Sequence, residues 1–128
     1  KTHNIILDRV DEYYLRADKS LLQQAIRALI ENSIKYSKKN TNIYISSEKQ
    51  GNIAKISIRD EGIGISDTDK ERIFERFYRA DESRNKFTGG TGLGLAIVSK
   101  IVELHKGKVS IESRINKGTK MTIEIPTV

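Results

Sequence analysis

The strongest chemical signal in the sequence is a glycine-rich segment that directly precedes a predicted helix. Residues 90–95 read Gly-Thr-Gly-Leu-Gly-Leu, with glycine at every second position. A helix N-terminus exposes unpaired backbone N–H groups at the positive end of its dipole, so this loop suits a phosphate chain. The segment is not a Walker A loop, because no Gly-Lys-Ser/Thr follows, and it does not match the Gly-x-Gly-x-x-Gly motif of dinucleotide-binding folds. The alternative to a phosphate-binding loop is a flexible loop without a ligand. The predicted phosphate-binding residues are Gly90, Thr91, Gly92, Leu93, Gly94 and Leu95.

A second glycine-rich segment follows the end of a predicted strand. Asp60 ends the strand, and Gly62, Gly64 and Ile65 come soon after it. Glycine lets the backbone approach a ligand closely. A carboxylate at a strand end can accept a hydrogen bond from an exocyclic amine such as that of adenine. These residues are therefore predicted to contact a base, with a tight strand-to-helix turn as the alternative.

Three polar residues share one face of the first long predicted helix. Asn32, Lys35 and Tyr36 stand at i, i+3 and i+4, beside the apolar stripe of that helix. An amide oxygen is a suitable ligand for Mg²⁺, a lysine can meet a phosphate, and a tyrosine ring can pack against a flat base. Taken alone, the three residues also fit an ordinary amphipathic helix.

A polar and charged stretch lies between the two glycine-rich segments. Residues 78–92 are too long and too polar for an ordinary connection, which predicts a mobile functional loop. Phe74 and Phe77 are typical of buried helix anchors. The cations that can face a terminal phosphate when the loop closes are Arg76, Arg79, Arg84 and Lys86, with a solvated charged loop as the alternative. Further along, Gly118-Thr119 is a turn by default, but its threonine can lend a hydroxyl to a base pocket.

The elements that must position these side chains alternate between strands and helices. The predicted strands are residues 4–7, 12–16, 43–49, 53–59, 108–113 and 119–125. The predicted helices run from Lys19 to about Ser37 with Asp18 as N-cap, from residue 66 or 67 to about Arg76, and from near Leu93 to a C′ glycine at Gly107. This order predicts an α+β fold, a mixed and largely antiparallel sheet with helices on one face.

Composition limits the classes of function. The 128 residues fit one domain, and the absence of cysteine excludes disulfides and thiolate metal sites. No apolar run is long enough to span a bilayer. The net charge of +6 is spread along the chain, without an aromatic-interleaved basic stripe or a DNA-binding helix signature, so we expect no nucleic-acid partner. The chain opens with Lys1 and not Met, which we interpret as a fragment of a longer protein.

In this order, the segments resemble the boxes of the ATP-binding catalytic (HATPase) domain of bacterial sensor histidine kinases, within the gyrase/Hsp90/histidine-kinase/MutL superfamily. Residues 31–37 resemble the N box of the family, residues 60–65 resemble the G1 box, residues 73–79 resemble the F box, and residues 90–97 resemble the G2 box. Residues 118–119 match the last Gly-Thr of the family. The resemblance covers essentially the whole chain, so we expect residues 1–128 to form a single ATP-binding catalytic domain.

The resemblance implies a two-layer α/β sandwich of the Bergerat type, with about five strands and three helices on one face. ATP and Mg²⁺ are the implied cofactors, and residues 66–92 would form a mobile lid over the nucleotide. Asn32 would hold Mg²⁺. The implied catalytic residues are Asn32, Lys35 and Arg79. The implied nucleotide-binding residues are Asn32, Lys35, Tyr36, Asp60, Gly62, Gly64, Ile65, Phe77, Arg79, Gly90, Thr91, Gly92, Leu93, Gly94, Leu95 and Thr119.

One departure from the family helps to separate its branches. Ala28 stands one helical turn before Asn32, where many relatives carry a second Asn and the ATPase branch carries a Glu that activates water. Alanine cannot act as a base, and the neighbouring Glu31 points about 100° around the helix. The chain therefore resembles a kinase more than a gyrase-like or Hsp90-like ATPase.

The chain lacks a convincing phosphoacceptor. Neither His3 nor His105, the two histidines of the sequence, stands in a His-Glu/Asp helix signature. The implied partners are therefore a dimerisation and phosphoacceptor domain of the parent kinase and, through it, a response-regulator receiver domain. We expect a monomeric domain in the cytoplasm and a homodimeric parent anchored in the bacterial inner membrane. An anti-sigma-type serine kinase and a docking module without turnover remain the alternatives.

Overall fold

Five strands pair into one mixed sheet in the computed structural model, which describes residues 3–37, 40–75 and 94–127. The strands are β1 (Asn4–Val10), β2 (Asn42–Gln50), β3 (Ile53–Asp60), β4 (Lys108–Arg114) and β5 (Gly118–Pro126). Their spatial order is β1-β2-β3-β5-β4. β1 runs parallel to β2, and every other neighbouring pair is antiparallel. The prediction of a mixed, largely antiparallel sheet of about five strands is confirmed.

Within the described residues, the helices are α1 (Lys19–Tyr36), α2 (Asp67–Lys70) and α3 (Gly94–Leu104). The predicted start of α1 is confirmed, because the Asp18 side chain accepts a hydrogen bond from the Leu21 N–H at 3.0 Å. Ala25 and Leu29 of α1 are fully buried, as the helical spacing of its apolar residues requires.

The core lies between the helices and one face of the sheet. Alternate residues of the central strands β3 and β5 point inward, so each strand presents one apolar face. These inward side chains pack against the buried residues of α1 and α3. The core residues of the four elements are Ile56, Ile58, Met121, Ile123, Ile125, Ala25, Leu29, Val98, Ile101 and Val102. The predicted two-layer α+β sandwich is confirmed.

The third helix returns along the first in the opposite direction. His105, just after α3, accepts a hydrogen bond from the backbone N–H of Asp18, the N-cap of α1, at Nε2 (3.0 Å). The two helices pack against each other. At about 1.5 Å per residue, α3 brings Gly94 about 16 Å back along α1, to about the level of Leu29. The N-terminal end of α3 therefore lies toward the end of α1 that carries Asn32.

Three boundary predictions were wrong. Residues 12–16 form no strand; instead β1 extends to Val10, and the chain leaves the sheet after the Asp11 N–H donates to Ser47 O at 2.8 Å. α2 ends at Lys70 and not near residue 76, because the backbone changes to three-residue turns such as Arg72 N–H to Asp69 O at 2.9 Å. At the end of α3 the left-handed residue is Lys106, with φ of 60°, and not the glycine that follows it.

No helix among the described residues is both long enough and apolar enough to cross a bilayer.

Candidate nucleotide-binding site

The C-terminal end of α1 is joined directly to the loop after β3. The Ile63 N–H donates to the Tyr36 carbonyl oxygen at 3.1 Å. A Cβ on Gly62 would lie 2.1 Å from that same oxygen, so only glycine permits this approach. The contact brings the C-terminal end of α1, which carries Asn32, Lys35 and Tyr36, to the loop that follows Asp60.

Asp60 is the buried polar centre of this junction, with 3% of its surface exposed. Its Oδ1 accepts from the N–H of Gly62 at 2.9 Å and from the N–H of Thr119 at 3.3 Å. The Ser33 hydroxyl of α1 also hydrogen-bonds to its side chain. An ionised carboxylate offers about four acceptor positions, and these donors use three of them. The donors of residues 3–37, 40–75 and 94–127 therefore leave one acceptor position for a further donor such as an amine.

Burial also changes the acidity of Asp60. Loss of solvent raises the pKa of its carboxyl group, although hydrogen bonds from Gly62, Thr119 and Ser33 and the charge of Arg59 oppose the shift. Ionisation of Asp60 at this buried position therefore lowers the stability of the folded chain. A charged group kept at such a cost is typical of functional sites.

The loop after Asp60 packs against the β4–β5 hairpin. Gly64 has a φ of 75°, and a Cβ there would lie 1.9 Å from the Arg114 carbonyl oxygen. Ile65 donates its N–H to Ser113 Oγ at 2.7 Å, and Ser113 Oγ lies 2.7 Å from Thr119 Oγ1. The structure thus brings Gly62, Gly64, Ile65 and Thr119 together around Asp60.

Asn32 carries an amide oxygen that could serve as a ligand to Mg²⁺. Its side chain is half-buried and makes no hydrogen bond within residues 3–37, 40–75 and 94–127. The same part of the chain contains no cluster of His, Cys, Asp and Glu able to hold a metal ion by itself. Mg²⁺ prefers oxygen ligands and usually keeps several waters and phosphate oxygens, so one amide oxygen beside a nucleotide fits it.

Of the other predicted site residues, the structure describes some and not others. Lys35 is exposed in the last turn of α1, and Tyr36 is half-buried beside it. Gly94 is exposed at the start of α3, where no atom lies within 4 Å of a Cβ built on it, and Leu95 packs against the core. The remaining predicted residues, Phe77, Arg79, Gly90, Thr91, Gly92 and Leu93, lie outside the described residues.

Two serines in the site were missed in the sequence. Ser33 is 4% exposed and hydrogen-bonds to Asp60. Ser113 lies on the inward face of β4, where it follows Val109 and Ile111 at every second position. A polar residue that continues an inward apolar alternation is the signal that would have identified Ser113. Ser33 carries a similar signal, because it stands four residues after Leu29 on the buried stripe of α1.

Comparison with known proteins assigns the family of the chain. A family model described as "Histidine kinase-, DNA gyrase B-, and HSP90-like ATPase" matches residues 17–128. The chain belongs to this ATPase family.

Relatives of this ATPase domain are sensor histidine kinases. Sensor-like histidine kinase SenX3 of Mycolicibacterium smegmatis is 42% identical over 123 residues, covering 96% of this chain and 32% of the relative. The catalytic domain of histidine kinase ThkA has a TM-score of 0.83 and 30% identity, covering 98% of this chain and 80% of that one. The mycobacterial sensor histidine kinase MprB has a TM-score of 0.85 and 26% identity, with coverage of 98% and 82%.

These matches favour the histidine-kinase branch of the family over the anti-sigma-type kinase and the docking module. This chain spans about a third of the length of SenX3. Relatives of this kind therefore carry additional parts beyond the region that matches this chain.

Proposed function

We propose that residues 1–128 form a single domain that binds Mg-ATP and donates the γ-phosphate to a histidine on a separate dimerisation and phosphoacceptor domain. Asp60 would accept a hydrogen bond from the adenine amine at its remaining acceptor position. Thr119 would add its hydroxyl to the base pocket, and Tyr36 would lie against the base. Gly62, Gly64 and Ile65 would hold the loop that closes this pocket.

The phosphate end of the site would lie between α1 and the N-terminal end of α3. Asn32 would provide one ligand to Mg²⁺, which would neutralise phosphate charge when bound. Lys35 and Arg79 would contact phosphate oxygens. The loop from Gly90 to Leu95, with its backbone N–H groups at the start of α3, would surround the triphosphate.

The observation that carries the proposal is the buried Asp60, to which the described residues leave one acceptor position, hydrogen-bonded to the Ser33 that follows Asn32 in α1. Within the same described residues the Asn32 side chain has no hydrogen-bond partner. A purely structural carboxylate would be expected to have its hydrogen-bonding capacity filled by the protein. A docking module would have no need to keep an ionisable group where burial opposes its charge.

The two histidines support an acceptor outside this chain. His105 Nδ1 lies 2.7 Å from the Ile101 carbonyl oxygen, which can only accept, and its Nε2 accepts from the Asp18 N–H. His3 is 8% exposed, and its Nε2 lies 2.9 Å from the Ser37 hydroxyl. Neither histidine therefore presents a free Nε2 to a phosphate. In the proposed transfer, a ring nitrogen of the acceptor domain bonds to the γ-phosphorus, the bond to the β,γ-bridging oxygen breaks, and ADP leaves.

Ala28 favours transfer over hydrolysis, because an alanine one turn before Asn32 cannot activate a water molecule. We further propose that the domain is monomeric alone, whereas its parent kinase is a homodimer anchored in the bacterial inner membrane. The parent would pass the phosphate to a response-regulator receiver domain.

The proposal is tested by titrating this chain with a fluorescent ATP analogue, with and without Mg²⁺, and then adding a phosphoacceptor domain with radiolabelled ATP. We expect Mg-dependent binding, little turnover alone, and label only on the added domain. The matched control is His105→Asn, which should not change labelling. Label that appears on this chain and disappears in His105→Asn would contradict the assignment of the acceptor, and no Mg-dependent binding at all would favour the docking module.

A further inference from the structure

Three polar side chains stand side by side at the same level of the sheet. Asp60 of β3 is the register partner of Thr119 of β5, and Thr119 is the register partner of Ser113 of β4. The proposed function gives roles to Asp60 and Thr119. Ser113 is only partly buried, yet it has three hydrogen-bonding neighbours: Ile65, Gly118 and Thr119.

The chemistry of those neighbours determines the direction of each hydrogen bond. A serine hydroxyl has one proton and two lone pairs. The Ile65 N–H donates to Ser113 Oγ at 2.7 Å and occupies one lone pair. The Gly118 carbonyl oxygen, at 3.0 Å, can only accept and therefore takes the serine proton. Thr119 Oγ1, at 2.7 Å, is then the donor to the second lone pair of Ser113.

This order of donors determines what Thr119 offers to a ligand. Its proton is directed to Ser113, so its oxygen presents only lone pairs toward the base pocket. The neighbouring carboxylate of Asp60, when ionised, also only accepts. A 6-amino purine presents an exocyclic NH₂ donor, whereas a 6-oxo purine presents an acceptor oxygen at the same place. Acceptor oxygens placed at position 6 of the purine match the amine and repel the oxo group.

We propose that Ser113 is a positioning residue that makes Thr119 a hydrogen-bond acceptor and thereby selects 6-amino over 6-oxo purine nucleotides. This inference rests on the proposed function, because it needs a purine nucleotide beside Asp60 and Thr119. Ser113 does not touch the nucleotide. Without its hydroxyl, Thr119 is free to rotate its proton toward the base and to donate to an oxo group.

The test compares the dissociation constants of ATP and inosine triphosphate (ITP) for the wild-type chain and for Ser113→Ala. We expect the preference for ATP to fall by about tenfold, the value of one hydrogen bond of this kind. Ser110→Ala is the matched control, since Ser110 is an exposed residue of the same strand and should keep the wild-type ratio. Ser113→Thr, which retains the hydroxyl, should also keep it. If Ser113→Ala weakens both nucleotides equally, Ser113 is only structural and the inference is wrong.

Thr119→Val provides the second arm. In that background Ser113→Ala should leave the ATP-to-ITP ratio unchanged, and a ratio that still falls would show that Ser113 does not act through Thr119. Should Ser113→Ala not fold, Ser113→Cys keeps the side-chain size and is measured with the same two nucleotides. A wild-type chain that binds neither nucleotide contradicts the proposed function, whereas one that binds ATP and ITP equally contradicts this inference alone.

Discussion

Replacing Gly64 by alanine tests whether the loop after β3 depends on close contact with the β4–β5 hairpin. Gly51 supplies a matched control, because both glycines have positive φ, 75° and 61° respectively. An added Cβ at position 64 would lie 1.9 Å from the Arg114 carbonyl oxygen, whereas at position 51 no atom lies within 4 Å. The two variants therefore share the backbone strain and differ in the collision.

The expected magnitudes follow from these contacts. An L residue in the left-handed region costs about 1–2 kcal/mol, and the stiffer unfolded chain returns about 0.4–1 kcal/mol. Gly51→Ala should therefore lower the free energy of unfolding by about 1 kcal/mol. Gly64→Ala must also push the loop and Arg114 apart, and such overpacking costs about 1–3 kcal/mol more.

The assay is urea unfolding of both variants, compared at equal slope so that the midpoints report stability. A second measurement is ATP affinity under conditions in which both variants are folded. Gly64→Ala should lose at least about tenfold in affinity because the loop beside Asp60 moves. Gly51→Ala should keep the wild-type affinity, since its turn lies about 25 Å away at the other end of β3. Equal stability losses within about 0.5 kcal/mol would refute the close-contact reasoning.

Three further substitutions test separate parts of the structure. Asp60→Asn should bind ATP much more weakly than the wild type and yet be more stable at neutral pH. Folding raises the pKa of Asp60. The contribution of Asp60 to stability is therefore present below its unfolded pKa and is lost as the pH rises through its folded pKa. Thermal unfolding from acidic to neutral pH checks this, and unchanged ATP affinity would show that Asp60 is not in the base pocket. Asn32→Ala should abolish Mg-dependent phosphotransfer to a supplied acceptor domain, and normal transfer would exclude its metal role. Its free energy of unfolding should stay within about 0.5 kcal/mol of wild type, because the side chain has no hydrogen-bond partner in the described residues. Leu29→Ala, at a fully buried position, should cost about 2–5 kcal/mol in urea unfolding, and a loss below about 1 kcal/mol would contradict its place in the core.

Much of the fold was predictable because local chemistry determines it. Asp18 is an N-cap in the sequence and in the structure, since its side chain needs only the N–H of Leu21 three residues later. The hairpin between β2 and β3 likewise follows from a two-residue Gly-Asn turn between alternating apolar residues. The site residues that belong to sequence boxes were also predictable, although their roles remain predictions.

What the sequence by itself determined is the family, the order of the elements and the inward faces of the strands, because each depends on spacing along a short stretch of chain. Only the tertiary structure decided that residues 12–16 leave the sheet, that α2 ends at Lys70, and that Ser33 and Ser113 hydrogen-bond to Asp60 and Thr119 respectively. The hydrogen bond from Ile65 to Ser113 joins residues 48 positions apart. Such a contact depends on how the sheet and loop pack, and no local pattern contains that information.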